Sequence, residues 1–125
     1  MQPWLAVFLG AGLGGAARHG VNLASLRLFG GGFPCGTLVV NVVGSLTMGL
    51  LVGWFAHKAD PGQAWRLFLT TGVLGGFTTF STFSLDAVLL YERGQVGTAA
   101  LYVAASAVLA IGGLFLGMLA VRHLA

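Results

Sequence analysis

Long apolar runs separated by short polar breaks dominate the chain. Four stretches, residues 4–28, 36–56, 63–90 and 96–121, reach the roughly 20 apolar residues that a helix needs to cross a bilayer. The breaks between them carry turn chemistry: Gly30, Gly31, Gly32 and Pro34 in the first, Lys58, Asp60, Pro61 and Gly62 in the second, Glu92, Arg93 and Gly94 in the third. Connectors this short make successive helices run antiparallel. The pattern predicts an all-α membrane protein with four transmembrane helices in a single transmembrane domain, residues 1–125. Trp4, Trp54 and Trp65 fall near the predicted helix ends, where amphipathic rings favour the headgroup level. The N-terminal run has no basic start and continues past Arg18, so it reads as a retained helix and not as a signal peptide.

Composition sharpens this picture and removes several function classes. Hydrophobic residues make up 57% of the chain and charged residues 7%, against about 25% charge in an average soluble domain. The net charge is +3, but the basic residues stand singly between apolar runs, so no patch exists to bind nucleic acid. The single Cys35 has no partner for an internal disulfide and no metal-ligand spacing with His19, His57 or His123. Gly10, Gly12 and Gly15 satisfy a GxGxxG spacing. No acidic residue follows at the distance a ribose would need and no βαβ pattern surrounds it, so it is not read as a dinucleotide loop. Neither an ATP motif nor a redox centre is present, and no enzymatic activity is expected.

Basic residues near the helix ends normally set orientation. Here Lys58, Arg66 and Arg122 lie on one side, and Arg27 and Arg93 on the other, with Arg18 deeper on that half. So even a balance allows copies to insert both ways and to pair about a two-fold axis in the membrane plane; a fixed topology with a weak bias is the alternative. The 21 glycines include small-xxx-small pairs such as Gly10 with Gly14, Gly49 with Gly53 and Gly113 with Gly117, which let helix backbones approach.

Polar groups inside a membrane span must find partners or line a wet cavity, so their positions carry the functional information. Thr37, Asn41 and Ser45 recur every four residues on one face of the second helix. The Asn41 amide offers two donors without formal charge, suited to an anion that must be held and released, or equally to fastening helices together. The third helix contains Gly75-Gly76-Phe77-Thr78-Thr79-Phe80-Ser81-Thr82-Phe83-Ser84. Paired glycines and clustered hydroxyls weaken a helix, which predicts an unwound break near residues 75–79, close to the axis of an inverted pair. Carbonyls freed at such a break, two from each copy, can enclose a small cation. Phe80 and Phe83 project to one side beyond the break, and their ring edges are electropositive. Tyr102 and Ser106, one turn apart in the fourth helix, add hydroxyls. Arg18 can draw anions into an aqueous vestibule or snorkel to the interface; the vestibule is the preferred reading.

GxGxGGAxRH at residues 10–19, GTLxVNxxGS at 36–45 and GGxTTFSTFS at 75–84, in that order, resemble the Fluc (CrcB) fluoride channels over essentially the whole chain. The resemblance implies a dual-topology antiparallel homodimer in the prokaryotic inner membrane that carries fluoride passively out of the cell, relieving toxicity. It implies a central structural sodium ion held by the backbone carbonyls of Gly75 and Thr78. It also implies a fluoride pathway through Asn41, Phe80, Phe83, Ser81, Tyr102 and Ser106, with Thr79 near the centre. Ala110, one turn after Ser106, stands where some members have a further hydroxyl, which puts the far end of that polar track in question. The rival reading, a proton-coupled exporter resembling the small multidrug resistance transporters, needs a titratable carboxylate in its chamber. The first, second and fourth spans contain none, and Asp86 and Glu92 lie toward one end of the third.

Overall fold

Pro3 sits in the first turn of the first helix, where its missing N–H is no loss, and Gly30 stops the same helix at φ 75° with its amide bonded to the Leu26 carbonyl at 3.0 Å. The computed structural model describes residues 2–124 and is helical nearly throughout. Helix α1 runs Pro3–Phe29 and α2 runs Cys35–His57. The third span, Gln63–Glu92, is composite: α3 (Gln63–Leu67) passes into a π-helical segment, Phe68–Leu74, then the single turn α4 (Gly75–Phe77), and resumes as α5 (Phe80–Glu92). Helix α6 closes the chain at Val96–Leu124. In the second connector Asp60 accepts from the Gly62 amide at 2.9 Å and from Arg66 at 2.8 Å, an exposed pair of modest worth that sets the entry to α3.

Three of these segments, Cys35–His57, Gln63–Glu92 and Val96–Leu124, are long and apolar enough to cross a membrane. Helix α1 has the length at 27 residues, but Arg18, His19 and Arg27 interrupt its apolar character, so composition alone does not place it with the others. The outside of the bundle is apolar, with Trp4 83%, Phe8 74% and Ile111 73% exposed. A surface of that kind belongs in lipid and not in water, and the molecule is an integral membrane protein.

Helix partners change at the interruption in the third span. Its first half packs on α1, whereas α5 packs on α6, and α6 also lies along α2. Glycine makes the closest of these approaches possible. A Cβ at Gly14 would run into the Val73 carbonyl, one at Gly76 into the Ala11 carbonyl, and one at Gly49 into the Leu114 carbonyl. Gly117 faces the Leu46 carbonyl in the same α2–α6 seam. Dispersion and close backbone contact, not the hydrophobic effect, hold such seams together in lipid.

The break itself is narrower than the glycine pair suggests. Gly75 and Gly76 remain helical, and only Thr78 (φ −91°, ψ 159°) and Thr79 (φ −155°, ψ 122°) are extended. Gly76 is used for close packing on α1, so the chain unwinds instead where side chains can satisfy the freed amides. The π-helical segment before it has no counterpart in the hydrophobic pattern, and Gly72 abuts Gly10 there.

Candidate functional site

Three side chains from three parts of the chain hold the break open. Asn41, on α2, pairs with Thr79 as a neighbouring strand would: its Nδ2 donates to the Thr79 carbonyl at 3.0 Å, and the Thr79 amide donates to its Oδ1 at 2.8 Å. Arg18, half-buried on α1, donates from Nε to the Gly76 carbonyl at 3.0 Å. Thr79 Oγ1 caps α5 by accepting from the Thr82 amide at 3.1 Å.

These bonds decide which carbonyls are left over. In an uninterrupted helix the Thr79 amide would serve the Gly75 carbonyl and the Thr82 amide the Thr78 carbonyl. Both amides are diverted, to Asn41 and to Thr79 Oγ1 respectively. The Gly75 and Thr78 carbonyls therefore lose their helical donors, while the Gly76 carbonyl finds a substitute in Arg18. Neutral oxygens of this kind suit a small hard cation. Among the described residues no group of three or more His, Cys, Asp or Glu offers a competing metal site. The donor set at the break thus fits sodium. Gly75 is also exposed on the outside of the bundle.

Beside the break lies a cleft of about 320 Å³, walled by Asn41, Ser45, Thr79, Phe80, Phe83 and Ser106, with Ala110 as an apolar part of the lining. Five of the expected pathway residues, Asn41, Thr79, Phe80, Phe83 and Ser106, meet here. One Nδ2 proton of Asn41 is spent on Thr79, which leaves the second. Ser106 is 5% exposed and its Oγ has no hydrogen-bond partner among the described residues. A buried hydroxyl without a partner is costly and calls for an explanation. Phe80 and Phe83 lie with ring centroids 5.5 Å apart at 53°.

Ser81 and Tyr102 stand outside that wall. Ser81 is exposed, with its hydroxyl 3.3 Å from Thr79 Oγ1. Tyr102 is fully buried; its ring lies against Phe83, centroids 5.2 Å apart and planes tilted by 46°, and meets Phe33 edge-on at 5.5 Å. Its hydroxyl donates to Asp86 Oδ2 at 3.2 Å, so that proton is committed to a carboxylate. Thr78 and Ser84 turn their hydroxyls back to the Leu74 and Phe80 carbonyls, as hydroxyls inside helices commonly do. A second cleft of about 460 Å³ is lined by Asn22, Thr37, Thr82, Asp86 and Arg93 among others. Phe83 lines the first cleft and Tyr102 is tied through Asp86 to the wall of the second, so this pair of touching rings stands between the two.

Comparison with known proteins follows the same residues. A family model described as CrcB-like protein, Camphor Resistance (CrcB), matches residues 5–118. The chain belongs to the CrcB family. The CrcB relative from Methylobacterium nodulans, called fluoride-specific ion channel FluC, is 63% identical over 123 residues, covering 98% of each chain. A second, from Nitrobacter hamburgensis and called fluoride-specific ion channel FluC 2, is 57% identical across 97% of this chain and 98% of its own. A third, from Granulibacter bethesdensis and also called fluoride-specific ion channel FluC, is 56% identical over 124 residues, with 99% and 98% covered.

Sequence reasoning missed two contacts of this CrcB site. The Asp86–Tyr102 bond had a visible signal, because an acid within an apolar span must find a donor and Tyr102 is a strong one in the adjoining helix. Arg18 on the Gly76 carbonyl had none, since the two are 58 positions apart.

Proposed function

We propose that two copies of this chain, inserted in opposite orientations, form a fluoride-selective channel that lets fluoride leave the cell passively. The cell interior traps the anion when hydrogen fluoride enters as a neutral acid and dissociates, and the channel gives it a way out down its gradient. The setting is the prokaryotic inner membrane, with a multi-pass protein in contact with lipid and α1 as the fourth crossing.

The observation that carries this reading is the unpartnered Ser106 hydroxyl in the wall of a cleft that holds neutral donors. Ser106 O–H, the second Asn41 N–H and the edges of Phe80 and Phe83 together replace water around a small anion. None carries a full charge, so the anion is bound weakly enough to move on. The names of the relatives, all fluoride-specific ion channels, support the same ion.

An exposed Phe80 (79%) beside exposed Ser81 and Gly75 supports a second copy over this face, because Ser81 and the free carbonyl have no reason to meet lipid. Gly75 and Thr78 of each copy would hold a sodium ion near the two-fold axis. Bound sodium supplies a positive charge that satisfies carbonyl lone pairs lipid cannot. The chain's own part is to keep those oxygens free and the backbone extended, through Asn41, Arg18 and the Thr79 cap.

Purified protein in liposomes is expected to release fluoride fast and to exclude chloride nearly completely, without an imposed proton gradient. Efflux that required such a gradient would favour an exporter, and no efflux at all would end the channel reading. Ser106→Ala should separate conduction from stability. Flux falls about tenfold on losing a donor worth about 1.4 kcal/mol to the passing anion. The melting temperature holds or rises, because no protein hydrogen bond is lost. A drop in stability with unchanged flux would show that the hydroxyl serves packing.

A further inference from the structure

We propose that Asn41 is a positioning residue for the cation as well as part of the anion cleft. The inference rests on the sodium reading above. Its two halves do different work. Oδ1 accepts from the Thr79 amide at 2.8 Å, and that amide is the one an intact helix would give to the Gly75 carbonyl. Taking it away leaves the Gly75 oxygen free for a metal. Nδ2 gives one proton to the Thr79 carbonyl at 3.0 Å and keeps the other for the cleft. A single neutral amide, 38 positions from Thr79 in sequence, therefore frees one of the two cation oxygens and offers a donor to the anion.

The acceptor and donor halves can be separated by substitution. Asn41→Ala removes both. The Thr79 amide is then released and competes with any cation for the Gly75 carbonyl, its ordinary acceptor in a helix. Asn41→Asp keeps an oxygen facing the Thr79 amide and removes the proton offered to the cleft. If ionised, the carboxylate repels an anion; if protonated, its one O–H is taken by the Thr79 carbonyl. Either way the cleft loses a donor while the Gly75 carbonyl stays free.

The test is sodium titration of the melting temperature of the purified protein in detergent, against N-methylglucamine at constant chloride, with fluoride flux read in parallel. Wild type should show a saturable stabilisation. In Asn41→Ala the sodium concentration for half the effect should rise about tenfold or more, since one hydrogen bond per copy now opposes binding. A merely structural role would lower the melting temperature equally at every sodium concentration and leave that half-point in place. Asn41→Asp should leave the half-point no more than about threefold above wild type, an ionised carboxylate only lowering it, and lose fluoride flux. An unmoved half-point in Asn41→Ala, or a half-point in Asn41→Asp displaced as far as in Asn41→Ala, overturns the assignment. No sodium response in wild type would remove the sodium reading itself, and the inference with it.

Discussion

Phe80→Ile and Phe83→Ile are each expected to lower fluoride flux about thirtyfold or more while the assembled protein survives purification. Isoleucine keeps the apolar bulk and removes the electropositive ring edge. The quadrupole whose face binds cations for about 2 kcal/mol when desolvated presents its positive edge to anions; a loss on that scale is about thirtyfold, since about 1.4 kcal/mol is a factor of ten in rate. Phe80 gives the cleaner experiment: it is 79% exposed in the protomer, so its replacement costs little internal packing. Phe83 also packs against the buried Leu90–Ala99–Tyr102 cluster, so some destabilisation accompanies the change. Fluoride-electrode traces from proteoliposomes, with size exclusion to verify assembly, decide the matter. Wild-type flux from either variant would take that ring out of the pathway.

The second large effect concerns folding. Gly14→Ala should abolish recovery of folded protein, because the added methyl would overlap the Val73 carbonyl and crowd the Phe77 amide, 2.9 Å away. Overpacking usually costs about 1–3 kcal/mol, and here the obstacle is backbone on both sides, which cannot rotate aside as a side chain can. Relief requires α1 to separate from the first half of the third span, and with it Arg18 from the Gly76 carbonyl. Gly12→Ala is the control: it lies in the same glycine-rich motif, yet nothing stands within 4 Å of its added Cβ. The yield of folded protein in detergent should collapse for the first variant, whereas yield and melting temperature should hold for the second. Equal behaviour of the two would mean that the α1 seam is looser than its geometry indicates.

Some of this protein was legible in the chain before any tertiary contact was known. Helical membrane architecture follows from the length of the apolar runs, since a bilayer leaves backbone no other open-ended way to satisfy its amides. Three ordered motifs pointed to the CrcB family, whose model matches residues 5–118. An interruption in the third span was foreshadowed by its glycines and hydroxyls, because both act through local propensity.

Tertiary structure decided the rest. That the Gly75 carbonyl is left free while the Gly76 carbonyl is satisfied depends on Asn41 and Arg18, lying 38 and 58 positions from the groups they bind; only the Thr78 carbonyl is freed locally, by the Thr79 cap. Whether a glycine is indispensable depends on what faces it: Gly14 meets backbone and Gly12 meets open space. Tyr102 and Ser106 share a helix face and similar chemistry, but one hydroxyl is bonded to Asp86 and the other has no partner among the described residues. Propensity and hydropathy are sums over neighbours in sequence, whereas hydrogen-bond satisfaction is settled between neighbours in space, and in lipid, where water cannot make up a missing partner, the second controls the site.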